Sequence, residues 1–485
     1  VGDNDGLIDA SSSAGNVIAT GDSGMAGGLV GINEGNGVIS NSSSRSSVTA
    51  RNNAGAGGLV ALNFGLVRNA QASGKVTVGN DGVAGGFAGY NFGEIDASSA
   101  DGDVVAGDRA RVGGFAGSNS STIGASQAHG NVSAGRSSSA GGFVGNNNGM
   151  LDTATATGNV NAGDDSKAGG LVGINTAQIR AAQAHGNVTA GRRSWAGGLV
   201  GWNSGNLDTA SAEGSVSAND DSIVGGLAGF NRGKIDASRA TGNVHAANRS
   251  SAGGLVGTND GGSINASRSS GTVLAGDNSL VGGLAGDNRG TVRQSQASGD
   301  VTAGNNGEAG GLVGHNTGTI AASSATGNVR AGRSSSAGGL IGMNVGQVAQ
   351  SKAAGNVEAG ADSAVGGLVG QLAGTVTDSS ATGNVHGGDF SHVGGFAGKH
   401  YGTILRASSS GTVSGGVSAT LGGLAGSSFG YIGQSSTGSR IVVAANAGQN
   451  YGALVGFNAG TLIGNTASQR DPSTPLVGSG RKPIN

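Results

Sequence analysis

Cysteine is absent from this chain of 485 residues, which excludes disulfides, iron–sulfur clusters and thiolate zinc sites without by itself choosing a compartment. Proline occurs only 3 times, at Pro472, Pro475 and Pro483, all close to the C-terminal end. Aromatic residues make up 3% and charged residues 12%, about half the usual charged share of a soluble protein. So few charges give little of the self-repulsion that keeps chains disordered. The net charge is -2 with both signs interspersed, so no basic stripe follows a phosphate backbone, and nucleic acid is not an expected partner. No apolar run reaches the ~18 residues of a membrane helix, and no signal peptide is visible.

What the chain has is glycine, 103 residues of it, arranged with strict regularity. A motif close to Gly-Gly-Leu-Val-Gly-x-Asn recurs at steps of about 28 residues, with glycine pairs beginning at Gly27, Gly57, Gly85, Gly113 and onward to Gly422 and a degenerate copy at Gly452. The count is sixteen. A period of this size marks stacked repeats, because one unit cannot bury its own apolar side. Residues Ile8 to Ala19 match the second half of later repeats, so the chain is expected to start inside a unit and to be a fragment of something larger; missing targeting signals then mean little.

One well-formed unit, Gly225 to Ala252, divides into three strand-like pieces separated by turn residues: Gly225 to Asn231, Ile235 to Thr241 and Asn243 to Ala246. The expected fold is all-β, an elongated parallel β-solenoid of about 16 coils with ~28 residues each, three-sided and, by the crossover rule, right-handed. At ~4.8 Å per coil the stack would be roughly 75 to 80 Å long. The solenoid is expected over residues 1–468, degenerate from about 366 onward, followed by a proline-containing tail or linker at 469–485.

Stacking turns each repeat position into a column. Leu or Phe follows the glycine pair, as at Leu199 and Phe115; Ile, Val or Leu recurs eight positions later, as at Ile179 and Ile235; Val recurs nine further on, as at Val188 and Val244. These columns are the expected core walls, with small residues such as Ser98 and Ala100 filling a narrow interior. The residue before the glycine pair and the one four later trade size: Val112 goes with Ala116, whereas Ala140 goes with Val144 and Ala196 with Val200. Close packing explains the exchange if the two fill one space, which requires the piece either to bend at its glycines or to be buried on both sides.

An asparagine ends the first piece in nearly every coil, at Asn63, Asn91, Asn119, Asn147, Asn175, Asn203, Asn231, Asn259, Asn288, Asn316 and Asn344. Stacked amides at coil spacing form hydrogen-bonded ladders, so a structural ladder is expected rather than a row of ligand contacts. It stops at Leu372, His400 and Ser428, where either the coil changes shape or a cap begins. The turn before the glycine pair alternates in charge from coil to coil, through Asp108, Arg136, Asp164 with Asp165, Arg192 with Arg193, and Asp220 with Asp221. Opposite charges on neighbouring strands favour the correct register.

Catalysis finds little support. Coils differ in length by only one or two residues, near Thr20, Asn36 and Gly261, so no long loops build a lobe to cover a substrate. The seven histidines are scattered; His386, Asp389 and His392 form the tightest group, and no metal or other cofactor is expected there. The acidic turn Gly163-Asp164-Asp165-Ser166 lacks the nonapeptide period of calcium-binding rolls. An ice-binding face would need a flat threonine array, but the relevant column mixes Asp101, His129, Thr157, Glu213 and Ala354.

The few aromatics cluster. Phe64, Tyr90 and Phe92 fall along one edge of neighbouring coils, Trp195 and Trp202 flank one first strand, and Tyr401, Phe429, Tyr431, Tyr451 and Phe457 gather toward the C-terminus. Flat rings suit the apolar faces of sugars, which makes Tyr90, Phe92, Trp195, Trp202, Tyr401 and Tyr431 candidate glycan contacts; the alternative for the C-terminal group is a cap.

The motif, with its downstream Gly-x-Ile and phrases such as Ala325-Thr326-Gly327-Asn328-Val329, resembles the GLUG motif of large bacterial surface and secreted proteins. The resemblance covers about Ile8 to Gly464 and extends to filamentous-haemagglutinin-like adhesins exported by two-partner secretion. It implies a β-helical, secreted or cell-surface protein that serves cell adhesion in a biofilm matrix, and the uniform turns add the expectation that it is not an enzyme. The implied partners are extracellular polysaccharide, a neighbouring cell surface or further copies of itself, and an outer-membrane secretion partner for the full-length protein. A polysaccharide-degrading solenoid enzyme and an ice-binding solenoid are the competing readings.

Overall fold

A computed structural model describes residues 1–445, 447–468 and 473–484. The chain divides into two compact units, Val1–Asn243 and Val244–Asn485. Both are all-β parallel solenoids with coils of about 28 residues, and among the described residues there is no helix. In the first unit one sheet runs from Asp3–Asn4 to Ala228–Asn231, each strand pairing in parallel with its equivalent one coil away. The second unit repeats the arrangement from Val256–Asn259 to Val477–Gly480.

Each regular coil has five short strands, where the sequence pattern suggests three. In one coil of the first unit they are Trp195–Gly197, Val200–Asn203, Asn206–Asp208, Ser211–Ala212 and Val216–Ala218. The first expected piece is thus two strands with a bend at Gly198-Leu199, and the second is two strands with a corner at Thr209, whose φ is 51°. The bend decides between the two readings of the volume exchange. Ala196 and Val200 lie on successive strands on either side of it, and both are buried together with Leu199. Sheet partners follow the same rule, since Ala196 pairs with Val224 as Val200 pairs with Ala228.

The glycines of the motif work by having no side chain. A Cβ at Gly197 would overlap the carbonyl oxygen of Val200 across the bend, and one at Gly198 would overlap the carbonyl oxygen of Gly226 in the next coil. Left-handed backbone is carried instead by other residue types: corner positions such as Ala181, Arg193 and Asp221 have φ of 49°, 54° and 61°. An exception is Gly261, whose φ of 75° absorbs the extra residue of its coil, so that Asn259 bonds the carbonyl of Gly262 three residues on.

The core columns are filled as expected. Leu199, Ile179, Val188 and their equivalents are buried, and Phe87, Phe115 and Phe143 stack at centroid spacings of 4.6 and 4.7 Å. The asparagine ladder is continuous within the first unit from Asn4 to Asn231, each Nδ2 donating to the Oδ1 of the next coil at 2.7 to 2.9 Å. The remaining Nδ2 hydrogen goes to a turn carbonyl of the same coil, as from Asn203 to Gly205. In the second unit Asn259, Asn288, Asn316 and Asn344 are linked likewise. Beyond Asn344 neither a change of coil shape nor a cap explains the break: Leu372, His400 and Ser428 are buried and paired in the same register.

Buried serines form further ladders. Ser194 Oγ accepts the backbone N–H of Ser166, and Ser295 Oγ that of Ser267, each at 3.2 Å. The alternating turn charges pair across coils: Arg193 makes a two-pronged contact with Asp165 at 2.8 and 2.9 Å and holds its carboxyl below the ordinary range. Asp164 also accepts the backbone N–H of Arg192, which explains why carboxylates or amides recur at this turn.

Toward the C-terminal end, part of the stretch expected to be a tail or linker forms a strand. Val477–Gly480 pairs with Val455–Asn458 and buries Val477, giving the second unit a last strand. Residues 469–472, including Pro472, lie outside the described residues.

Candidate functional site

Strand alternation places one side chain per strand outward on either side of the glycine bend. In Trp195–Gly197 it is Trp195, since Ala196 faces the core; in Val200–Asn203 it is Trp202, since Val200 and Asn203 are buried. The intervening Gly201 cannot bear a side chain, because a Cβ there would press on the backbone of Ala168 and Gly173. The bend turns these two outward columns toward each other, seven residues apart in the same coil. Contacts across it confirm the geometry: Thr258 Oγ1 donates to Ser251 Oγ at 3.2 Å, and His315 Nδ1 meets Glu308 Oε2 at 2.6 Å. Each unit therefore carries an external groove floored by glycine.

In the first unit the groove is richest at three successive coils, where Lys167, Trp195 and Ile223 face Ile174, Trp202 and Phe230. Lys167, Ile174, Trp195, Trp202, Phe230 and Arg232 line a cavity of about 370 Å³. Trp195 stacks on Phe230 at 5.2 Å and 18°, the Lys167 ammonium lies 5.3 Å from the Trp195 ring, and the Arg232 guanidinium 5.3 Å from the Phe230 ring. Both faces of Trp195 are therefore occupied. Among the described residues Trp202 makes no ring stack or cation contact, which leaves its ring for a ligand. Toward the N-terminus Tyr90 occupies the same column, with the Arg111 guanidinium 5.9 Å away and Phe92 at 6.4 Å; Phe92, 47% exposed, stacks on Phe64 at 5.3 Å.

The second unit fills the same positions with titratable groups. Asp287 is only 3% exposed; its Oδ2 accepts from Arg289 Nε at 2.9 Å, its Oδ1 has no partner, and burial pushes its carboxyl above the ordinary value. One coil on, the Glu308 contact raises His315 above the usual imidazole value. His392 Nδ1 meets Ser427 Oγ at 2.6 Å, and burial lowers its pKa to about 4.

The sequence candidates therefore separate. Trp195 and Trp202 share one cavity, and Tyr90 shares their groove with Phe92 at its edge. Tyr401 stacks on Phe429 at 5.1 Å at a corner of the second unit, whereas Tyr431 begins a different sheet, half-buried against Gly433. His386, Asp389 and His392 do not converge: His386 meets Ser414, Asp389 accepts from the backbone of Val417, and His392 meets Ser427. Among the described residues no group of three or more such side chains is placed to hold a metal ion. Sequence reasoning missed Lys167, Ile174, Phe230 and Arg232 as site residues. The signal was available in two spacings: 28, which leads from Trp202 to Phe230 and from Trp195 back to Lys167, and 7, which joins Lys167 to Ile174 across the bend.

Three stretches, 22–49, 305–330 and 361–385, match the model of the GLUG motif. Each contains one glycine pair, so the class defined by fold and motif is a β-solenoid carrying GLUG repeats. No curated protein and no solved structure gives a significant match. The motif match concerns the repeat and carries no ligand, partner or compartment with it.

Proposed function

We propose that this chain is a structural and adhesive part of a large secreted or surface bacterial protein, in which regular coils hold a groove that binds extracellular polysaccharide weakly and at several places. In kind it is the biofilm-matrix adhesin that pseudomonads place under cyclic-di-GMP control, exported by two-partner secretion. The observation that carries the binding role is the Trp195–Trp202–Phe230 cavity: bulky apolar side chains concentrate there, outside an otherwise uniform scaffold. Trp202 presents the ring against which a sugar can lie, and repeated weak contacts along one chain add through multivalency. A binding rather than a hydrolytic role is supported by the engagement of the groove carboxylates, Asp287 with Arg289 and Glu308 with His315.

The test is retention of the full chain on immobilised polysaccharides, with reducing ends assayed in parallel. Retention without new reducing ends is expected, and Trp202→Ala should weaken it roughly tenfold. Retention indifferent to Trp202→Ala, or release of reducing ends, would overturn the reading.

A further inference from the structure

The polysaccharide reading leaves the chemical class of the sugar open, and the cavity in the first unit narrows it. We infer that the Trp202 cavity is selective for polysaccharide bearing carboxylates on its sugar rings, a uronate polymer, with Lys167 and Arg232 receiving the charge; this rests on the proposal that the groove binds polysaccharide.

Charge complementarity carries the argument. Six side chains line the cavity, four of them apolar and two cationic, and none is acidic. Among the described residues Lys167 forms no ion pair, and its ammonium is held over the Trp195 ring. Asp165, whose carboxyl feels the Lys167 charge, is committed to its two-pronged contact with Arg193. The Arg232 guanidinium lies 5.3 Å from the centre of the Phe230 ring. The rings thus act as supports for the two cations, their faces being used internally, and Trp202 offers the apolar surface between them. Lys167 and Arg232 stand two coils apart, roughly 10 Å along the stack, so an extended polymer running along the groove meets both. The same groove positions in the second unit hold Asp287 and Glu308, which disfavour an anionic chain. Selectivity for acidic sugars is therefore a property of the first unit's groove.

The experiment compares polygalacturonate with its methyl ester, which keeps the backbone and masks the charge, using the full chain and affinity electrophoresis or calorimetry. The acid form is expected to bind roughly tenfold more tightly than the ester at low salt, the size that two solvent-exposed charge contacts supply, and the gap should close at high salt. The double variant Lys167→Gln, Arg232→Gln should bind both polymers equally, whereas Lys234→Gln, on another face, should keep the preference. Trp202→Ala should weaken both. Equal affinity of the unaltered protein for acid and ester, or loss of preference with Lys234→Gln as well, overturns the selectivity while leaving polysaccharide binding standing. Binding of neither these polymers nor any neutral polysaccharide overturns the underlying proposal. Identical β-sheet circular dichroism of the variants separates either result from misfolding.

Discussion

The grooves of the two units share a backbone and differ in chemistry. Around Trp202 the outward columns hold two tryptophans, a phenylalanine and two cations; around Asp287 they hold two carboxylates, a histidine and an arginine. Both segments pair their strands in the same register and both bury Leu, Ile or Val at the same inward positions. The difference teaches that the inward columns and the glycines specify the coil, which frees the outward positions beside the bend to vary without cost to the fold. A column that alternates apolar, polar and charged residues from coil to coil is one the scaffold does not need.

The sharpest way to break this comparison is to strike what the units share. Gly198→Ala in the first unit and Gly311→Ala in the second each drive a methyl into the carbonyl oxygen of the glycine one coil on, Gly226 and Gly339. Each should cost about 3 kcal/mol or more, and denaturant unfolding followed by circular dichroism should show similar losses for both. A loss confined to one would mean that the units do not depend equally on the bend.

The next effect belongs to the second unit alone. His400 stands where the first unit has asparagine; its Nδ1 meets Ser428 Oγ at 3.0 Å, its Nε2 is buried without a partner, and burial lowers its pKa from 6.5 to about 4. The unfolded chain therefore takes up this proton more readily than the folded one. The stability that neutral His400 provides is complete above pH 6.5, shrinks as the pH falls toward about 4, and is gone below it. The loss approaches about 3 kcal/mol. Thermal unfolding from pH 7 to 4 should show it in the unaltered protein, and His400→Asn should remove about half of the acid-side loss, since burial lowers His392 to about 4 as well; an unchanged pH dependence would show that His400 is not a group responsible.

Smaller still is a single break in the first unit's ladder. Asn147→Leu removes two ladder bonds at once, leaving Asn119 Nδ2 with only the Ser121 carbonyl and Asn175 Oδ1 with only the long 3.4 Å contact from the Ala177 N–H, and should cost about 2 kcal/mol. Leu372→Asn in the second unit should change stability by less than about 1 kcal/mol, because Asn344 already bonds Asn316 and the carbonyl of Gly346. Equal costs in urea titrations would erase the distinction between the two ladders.

Much of this architecture is legible in the sequence because the repeat supplies its own comparisons. The Leu, Ile and Val columns, the asparagine ladder and the exchange of volume between Ala196 and Val200 can all be seen by laying coils side by side. The five-strand coil is hidden for a physical reason. Glycine is needed at Gly198 because a carbonyl of the next coil stands where a Cβ would be, a contact between coils that no single repeat displays. The corners are hidden too, since the left-handed positions hold Ala181, Arg193, Thr209 or Phe390 rather than glycine, and nothing local marks them. Trp195 and Trp202 stand out by rarity. Lys167 and Arg232 do not, because a lone cation on a strand gains its meaning only from the ring one coil away.

Every amide in the ladder points the same way, donating toward higher residue numbers. A coil therefore has unlike faces, one offering N–H groups and the other carbonyl oxygens, and an inverted coil would set donor against donor. Removing one whole repeat and rejoining its neighbours restores the same bond between the same two groups, and duplicating one adds the same bond again. Within a unit, length becomes something a gene can change in steps of one coil, by slippage or recombination between near-identical segments, with no new contact to be invented.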